Sequence, residues 1–251
     1  MIKAERHDRI LTELAKLGAI SVQNLSVMLD VSEATVRRDL NELHERKLVQ
    51  RTHGGVTLAS GPDELPYQFK VTANLQEKRR IGAMAAAMIH AHQVIGCNGG
   101  TTVAEVIKNL RTKPVRVITN AVNVAIEMVA GSEAEVFVTG GMLRGRTYEL
   151  VGYGAQRSLD DVVVDLALVG VDGVSVEHGV TSFHPGQAYV TRRLTERAKE
   201  VWVVADHSKL GAVRPAVIAP LSAVHKLITD SVLSDDALRP FREAGVEVIR
   251  S

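Results

Sequence analysis

The first part of the chain has the apolar spacing of short amphipathic helices. Three apolar stripes recur at helical intervals: Ile10-Leu11-Leu14-Leu17, Val22-Leu25-Met28-Leu29 and Val36-Leu40-Leu43. Gly18 is the expected end of the first helix, and Ser21 and Ser32 are the expected N-caps of the second and third. Residues 49–58 place Gly54-Gly55 between residues that favour strands, which predicts a hairpin. Residues 5–58 are therefore expected to form three helices and a β-hairpin.

The pattern changes from residue 94 onward, where short runs rich in Val and Ile alternate with helical stretches. The predicted strands are 94–97, 115–119, 135–139, 165–169, 201–205, 226–229 and 246–249. The predicted helices are 77–91, 102–110, 122–130, 187–199 and 235–244. Continuous apolar strands that alternate with helices are typical of a mostly parallel sheet covered on both faces.

These patterns predict two domains of different class. Residues 1–58 are expected to form a small winged helix-turn-helix domain, and residues 75–251 a larger α/β domain. Residues 59–74 contain Gly61, Pro62 and Pro66 and have weak periodicity, so they are expected to be a linker.

Composition and charge exclude several classes of protein. The 251 residues carry a formal net charge of +1, so any case for a nucleic-acid partner must rest on local pattern. Cys97 is the single cysteine, which excludes an internal disulfide, and no apolar run is long enough to cross a membrane. The chain has no signal-peptide pattern, so a cytoplasmic protein is expected. His44 and His53 have no partners at ligand spacing, and neither a metal nor a cofactor is expected.

The third helix and the hairpin carry residues suited to DNA. If Val36, Leu40 and Leu43 are buried, the opposite face presents small and polar side chains that suit the major groove. The predicted DNA contacts are Ser32, Ala34, Thr35, Arg37, Arg38, Asn41, Lys47, Arg51 and His53. Arg37 and Arg38 alone would fit a solvated helix face, but their combination with three short helices and a basic hairpin favours DNA.

The same residues carry a family resemblance. The run Val31-Ser32-Glu33-Ala34-Thr35-Val36-Arg37-Arg38-Asp39-Leu40, followed by Leu43, Leu48, Arg51, His53, Gly54 and Gly55, closely resembles the DeoR family of bacterial transcription regulators. The resemblance begins near Arg6 and implies binding to double-stranded operator DNA.

Polar and glycine-rich loops follow the predicted strands of the second domain. Asn98-Gly99-Gly100-Thr101-Thr102 opens a helix, where an anion is favoured, but no Lys follows the glycines and the loop is not a nucleotide-binding P-loop. The other predicted pocket residues are Thr119, Asn120, Asn123, Gly140, Gly141, Arg144, Asp172 and Lys209. Each alone fits an ordinary turn; their convergence at one end of a sheet predicts a pocket.

In this order the loops are also similar to the DeoR sensor domain, which looks like ribose-5-phosphate isomerase. The resemblance covers nearly the whole chain and implies a phosphorylated sugar or similar metabolite as the effector, usually one that releases DNA. The chain departs from the family at Asn98, where Asp is common, and at Gly186-Gln187-Ala188, where Glu-Glu-Ala is common. Gln187 is counted with the pocket, and the two missing carboxylates suggest an effector that is more anionic or contacted differently.

The sequence favours a transcription regulator without enzyme activity, and specifically a repressor of carbohydrate-metabolism genes. The alternative is a sugar-phosphate isomerase or deaminase with a DNA-binding appendage, for which Asp172, Asp206, His184 and Lys209 are candidate acid/base groups. A third possibility is a DNA-binding protein whose second domain binds no ligand. Regulators of this size read paired half-sites, so a homodimer or homotetramer is expected.

Overall fold

The computed structural model describes residues 2–46, 48–52, 55–58, 64–130 and 134–251. The chain forms two compact units, Met1–Ala73 and Asn74–Ser251. Each unit has its own hydrophobic core, so each is described separately.

The first unit has three main helices, a short antiparallel sheet and a further helix of four residues. Its elements are α1 (Lys3–Leu17), β1 (Ala19–Ile20), α2 (Val22–Leu29), α3 (Glu33–Glu45), β2 (Val49–Thr52), β3 (Gly55–Leu58) and α4 (Tyr67–Lys70). The strand order is β1-β3-β2, which makes β2 and β3 the wing of a winged helix-turn-helix. Ser21 and Ser32 cap α2 and α3 through backbone N–H groups three residues further on, as predicted. The three predicted apolar stripes supply most of the core, where Leu14, Val36 and Leu43 are fully buried.

The predicted linker differs from the structure over residues 64–73. This segment contains α4, and Phe69 of that helix is 9% exposed and packs in the core of the first unit. Leu65 packs against the same core. Because the periodicity of the segment is weak, the sequence did not predict this short helix. Residues 59–63 lie outside the described part of the chain.

The second unit is built on a parallel sheet. Its helices are α5 (Leu75–Met88), α6 (Thr101–Leu110), α7 (Val122–Val129), α8 (Tyr153–Arg157), α9 (Pro185–Glu196) and α10 (Asp235–Glu243). Its strands are β4 (Val94–Cys97), β5 (Arg116–Thr119), β6 (Val136–Val138), β7 (Met142–Arg144), β8 (Glu149–Val151), β9 (Val164–Gly170), β10 (Gly173–Ser175), β11 (Gly179–Ser182), β12 (Ala198–Val204), β13 (Ala216–Ala219), β14 (Lys226–Thr229) and β15 (Glu247–Arg250). Among the described residues, seven strands pair in parallel in the order β15-β14-β12-β9-β4-β5-β6. They are the seven strands predicted from the sequence.

Helices cover both faces of this sheet, as the continuous apolar strands predict. Along β9, Leu166 and Leu168 pack with α5, α6 and α7, whereas Ala167 and Val169 pack with α8 and α9. Gly96 of β4 lets α9 lie close to the sheet, because a Cβ there would come within 2.4 Å of Leu194 Cδ1. The core therefore has two layers, one on each side of the sheet.

Two antiparallel additions were not predicted. β7 and β8 form a hairpin, and β10, β11 and β13 form a separate sheet. Residues 198 and 199, predicted as the end of a helix, instead begin β12, because α9 ends at Glu196. Within the described ranges, none of the helices is both long and apolar enough to cross a membrane.

Candidate DNA-reading surface and effector pocket

The exposed face of α3 carries the predicted DNA-reading side chains. Ser32 Oγ accepts a hydrogen bond from Thr35 N at 3.2 Å, which fixes the start of the helix. Ala34, Arg37 and Arg38 are exposed on the following turns. The described residues give Arg38 neither a hydrogen bond nor an ion pair, so its guanidinium is available to a base edge or a phosphate.

Two of these residues meet the wing. Arg51 of β2 donates a hydrogen bond to the side-chain oxygen of Asn41 on α3. Arg37 is paired with Glu33 at 3.1 Å, and it lines a shallow groove between α3 and the wing together with Arg51. The surface therefore joins helix and wing. Lys47 and His53 lie outside the described residues.

Asp39 has a different role from its neighbours. Although it belongs to the Arg-Arg-Asp-Leu run, it is 2% exposed and faces α1. Its oxygens bind Arg6 Nε at 2.5 Å, Arg6 Nη2 at 2.9 Å and His7 Nε2 at 3.2 Å. Burial, the largest influence, opposes ionisation, but the hydrogen bonds from Arg6 and His7 outweigh it and hold the pKa of Asp39 below its usual value. Asp39 thus fixes the position in which α3 packs against α1.

The predicted effector residues lie at the carboxyl edge of the parallel sheet. β4, β5, β6, β9 and β12 run in the same direction, so the loops that follow them meet at one edge. Gly100, with φ +120°, precedes α6, and Thr101 and Thr102 form the buried start of that helix. The N–H groups of a first helical turn have no acceptor within the helix and suit an anion.

The side chain of Asn98, which follows β4, is hydrogen-bonded to the end of β9. Its Nδ2 donates to Gly170 O at 2.9 Å, and its Oδ1 accepts from Gly170 N at 2.8 Å. An Asp at this position could accept but not donate, so the amide suits this contact better than the carboxylate common in the family. The sequence assigned Asn98 to the ligand; the structure gives both of its amide atoms a partner in the backbone of β9.

A chain of hydrogen bonds crosses the candidate pocket. Arg144 donates to the side-chain oxygen of Gln187, and Gln187 donates from its nitrogen to Glu149. Glu149 in turn accepts from Gly99 N at 3.0 Å. This chain links α9, the β7–β8 hairpin and the loop before α6. An amide at position 187 can donate to one neighbour and accept from the other, which a carboxylate cannot do.

Asp206 and Lys209 belong to a second cluster at the end of β12. Asp206 is 1% exposed and accepts hydrogen bonds from Asn74 Nδ2 and Ser208 N, both at 3.0 Å. Burial is the largest influence and opposes ionisation, but the charges of Lys209 and the buried Lys78, together with these hydrogen bonds, hold the pKa of Asp206 below its usual value. The positive charge of Lys209 therefore already offsets the negative charge of the Asp206 carboxylate.

Asp172 supports the loop after β9. Its Oδ2 accepts from Ser182 Oγ at 3.2 Å and from Phe183 N at 3.3 Å, which connects that loop to the end of β11.

The residues after β5 have mainly structural contacts. Thr119 Oγ1 accepts from Ala121 N at 3.0 Å, and Asn120 Nδ2 donates to Leu150 O at 3.0 Å. The two amide atoms of Asn123 are buried, and no described residue hydrogen-bonds them.

The glycines after β6 shape the hairpin. Gly140 N donates to Ser158 Oγ at 3.0 Å. Gly141 has φ +121°, and a Cβ there would lie 2.7 Å from Val151 O. The backbone at the start of β7 therefore requires glycine at position 141.

Sequence reasoning missed Glu149, Lys78 and Asn74. A single Glu or Lys in a helical or loop pattern carries no signal of burial, and the partners of Glu149 lie 50 and 38 residues away. Across the ranges that the structure describes, no group of three or more His, Cys, Asp and Glu side chains could hold a metal ion.

The architecture defines a DNA-binding regulator with an α/β sensor. The DeoR-like helix-turn-helix domain matches residues 6–61, and the DeoR C terminal sensor domain matches residues 73–231. The chain is 36% identical over 251 residues to the HTH-type transcriptional regulator GlpR of Haloferax volcanii, covering 99% of this chain and 98% of that protein. It is 33% identical over 250 residues to the HTH-type transcriptional repressor GlcR of Bacillus subtilis, covering 99% and 96%.

The chain belongs to the DeoR family of transcription regulators, as the sequence predicted. Its relatives are regulators and repressors, which confirms the expectation of a regulator and not an enzyme. Ribose 5-phosphate isomerase A of Methanocaldococcus jannaschii matches with a TM-score of 0.41 and 21% identity, covering 55% of each chain.

Proposed function

We propose that this protein represses carbohydrate-metabolism genes and that a phosphorylated sugar or similar metabolite controls its binding to operator DNA. The repressor role is supported by GlcR, whose name describes a repressor. The single observation that carries the DNA-reading assignment is the exposed face of α3, where Arg38 stands without a protein partner among the described residues.

The DNA-reading surface can be tested by one substitution and a matched control. Arg38→Ala should weaken specific operator binding by about 1–3 kcal/mol, since a good base contact has that value. Arg80→Ala removes another exposed arginine, paired with Glu77 on α5 at 3.3 Å, and should leave operator affinity unchanged. Gel shifts on DNA upstream of the gene provide the measurement. Equal affinity of wild type and Arg38→Ala would show that α3 docks differently.

We propose that the effector pocket lies at the carboxyl edge of the parallel sheet. The first turn of α6 offers backbone N–H groups to a phosphoryl group, with Arg144 held nearby through Gln187 and Glu149. Asp172 and Glu149 carry oxygens that suit sugar hydroxyls. Glu149 also changes the sequence argument: it restores a carboxylate next to Gln187, so the missing carboxylates alone do not require a more anionic effector.

Lys209 tests the pocket, and Lys199 is its control. Lys199 pairs with Asp165 at 2.8 Å near the amino-terminal end of the sheet, far along the strands from the predicted pocket. Lys209→Ala should bind operator DNA normally and require a higher concentration of sugar phosphate to respond, whereas Lys199→Ala should respond as wild type does. Loss of DNA binding in a folded Lys209→Ala protein would contradict this division of roles.

A panel of ligands separates the remaining alternatives. Sugar phosphates, the corresponding unphosphorylated sugars and inorganic phosphate are compared by thermal shift, because a ligand that binds the folded state raises its melting temperature. A shift by the phosphorylated compounds alone supports the proposal. A shift by neutral polyols alone would refute the phosphate assignment, and no shift by any compound would favour a second domain without a ligand.

The domain limits, assembly and location are part of the proposal. We propose a DNA-binding domain over residues 1–58 and a sensor domain from residue 75. The start of the second compact unit at Asn74 supports the sensor boundary, whereas the first unit continues beyond residue 58 to Ala73. We further propose a homo-oligomer, because winged helices of this kind read paired half-sites. We also propose that this regulator acts in the cytoplasm.

A further inference from the structure

An arginine that the sequence pattern did not single out, Arg214, lies beside the proposed effector pocket. Its backbone N–H donates to Thr181 Oγ1 at 3.0 Å, and the carbonyl oxygen of Thr181 accepts from Asp172 N at 3.1 Å. The chain before Arg214 passes close to β10, because a Cβ on Gly173 would lie 2.4 Å from Ala212 O. These contacts hold Arg214 next to the predicted pocket residue Asp172.

The guanidinium group of Arg214 stacks on an aromatic ring. Its Cζ lies 4.7 Å from the centre of the Phe183 ring, and Phe183 N in turn donates to Asp172 Oδ2 at 3.3 Å. Nη1 makes one long contact of 3.4 Å with Val213 O, whereas Nε is buried and no described residue accepts a hydrogen bond from it. Within the described ranges no carboxylate pairs with Arg214. A buried donor without an acceptor costs free energy, and an anionic acceptor would form the strongest hydrogen bond with it.

Arg214 and Arg144 contact two positions around the start of the same helix. Arg144 donates to Gln187 in the first turn of α9, and Phe183 lies two residues before that helix. The Cα atoms of Phe183 and Gln187 are at most about 14 Å apart, because an extended chain spans about 3.6 Å per residue. The planar fork of an arginine suits phosphoryl and carboxylate groups. One small ligand with two anionic groups can therefore contact both arginines.

We propose that Arg214, stacked on Phe183, binds a second anionic group of the effector. The inference rests on the proposed function, in which the first turn of α6 and Arg144 bind a phosphoryl group. It narrows the effector to sugar phosphates that carry a second phosphoryl or a carboxylate group. The oxygens of Asp172 suit the hydroxyl groups between the two anionic ends.

Inorganic phosphate tests the two anion subsites without knowledge of the effector. Denaturant unfolding of the full chain is followed through Trp202, which reports the second unit alone, at constant ionic strength. Each site that phosphate saturates only in the folded state lowers the unfolding equilibrium constant about tenfold for every tenfold rise in phosphate. The constant should therefore fall about a hundredfold in wild type, with two sites, and about tenfold in Arg214→Ala, with one.

Arg192→Ala is the matched control for this titration. Arg192 also stacks on an aromatic ring, with its Cζ 5.5 Å from the centre of the Tyr189 ring. Its Nε and Nη2, however, donate to Ile218 O and Val217 O. Arg192→Ala should keep the wild-type dependence on phosphate, even if it lowers the stability without phosphate. Arg214→Gln, which is neutral and larger than Ala, replaces Arg214→Ala if that variant does not fold and should show the same loss.

The titration separates failure of this inference from failure of the proposed function. Equal phosphate dependence in wild type and Arg214→Ala would overturn the second subsite and leave the first intact, as expected if Arg214 has a structural role only. An equal loss in Arg192→Ala would overturn it as well. No phosphate dependence in wild type would refute both the second subsite and the phosphoryl assignment of the proposed pocket.

Three probes that differ at C1 identify the second anionic group. They are glucose 6-phosphate, glucose 1,6-bisphosphate and 6-phosphogluconate, compared by thermal shift of wild type and Arg214→Ala. One of the two probes with two anionic groups should bind wild type at least tenfold more tightly than glucose 6-phosphate, and Arg214→Ala should lose this preference. Equal affinity of wild type for all three would overturn the proposal; where none of the three binds, the phosphate titration decides.

Discussion

The buried contact between Asp39 and α1 gives the sharpest stability prediction. Asp39→Ala removes a carboxylate that is 2% exposed and leaves Arg6, whose side chain is 13% exposed, without its two charged hydrogen bonds. Breaking a buried ion pair costs about 3–5 kcal/mol, and the partial exposure of Arg6 places this case near 3 kcal/mol. For a unit of this size, 1 kcal/mol corresponds to about 4–8 °C, so the melting temperature of the first unit should fall by roughly 12–24 °C.

The single tryptophan allows the two units to be followed separately. Trp202 lies in β12 of the second unit, so its fluorescence reports that unit alone, whereas far-ultraviolet circular dichroism reports the helices of both. In Asp39→Ala the circular dichroism transition of the first unit should move and the fluorescence midpoint should stay.

Glu33→Ala is the matched control for this prediction. It removes an exposed ion pair with Arg37 and should cost less than about 0.5 kcal/mol. A shift in Asp39→Ala no larger than in Glu33→Ala would refute the reasoning, and so would a fluorescence midpoint that moves with the circular dichroism.

Three further predictions concern both units. Gly141→Ala should destabilise the second unit by about 1–3 kcal/mol, because the φ of +121° at Gly141 and the approach of Val151 O exclude a Cβ. Denaturant titrations followed by tryptophan fluorescence measure this change. Gly145→Ala is the control and should be neutral, because a Cβ at Gly145 meets nothing within 4 Å. Burial raises the pKa of the Cys97 thiol to about 12, so a thiol reagent at pH 8 should react only after unfolding, and fast labelling of the native protein would contradict this. Because the pKa of Asp39 is lowered in the folded protein, its contribution to stability is complete above its unfolded pKa of about 3.9 and is lost as pH falls through the folded pKa. Acid titration should therefore reduce the stability of the first unit more steeply in wild type than in Asp39→Ala. Parallel stability curves for the two proteins would refute this.

The sheet could be predicted because its strands are unambiguous in the sequence. In the strand 165–169, the residues from Leu166 to Val169 are all apolar, since both faces of the strand are buried, and helical stretches separate it from its neighbours. The β7–β8 hairpin has strands of three residues that include Arg144 and Glu149, so no periodicity marks it. The sheet formed by β10, β11 and β13 was missed because its strands are short and β13 is distant in sequence from the other two.

The candidate pocket was predicted less completely than the fold. Loop position located Asn98, because the ends of parallel strands meet at one edge, and the family resemblance located Gln187. Their contacts depend on partners that sequence does not reveal: Asn98 binds the backbone of Gly170, and Gln187 binds Glu149. Asp39 shows the same limit, since the pattern alone does not reveal its burial against α1 or its partners Arg6 and His7.

The division into two units has a thermodynamic consequence, because one chain carries both the proposed DNA-reading surface and the proposed effector pocket. Under the proposed function, effector binding changes the affinity for operator DNA. Such coupling is reciprocal, so if effector binding changes the operator affinity tenfold, operator binding changes the effector affinity by the same factor. Protein bound to its operator would therefore respond at a different metabolite level from protein that is free of DNA.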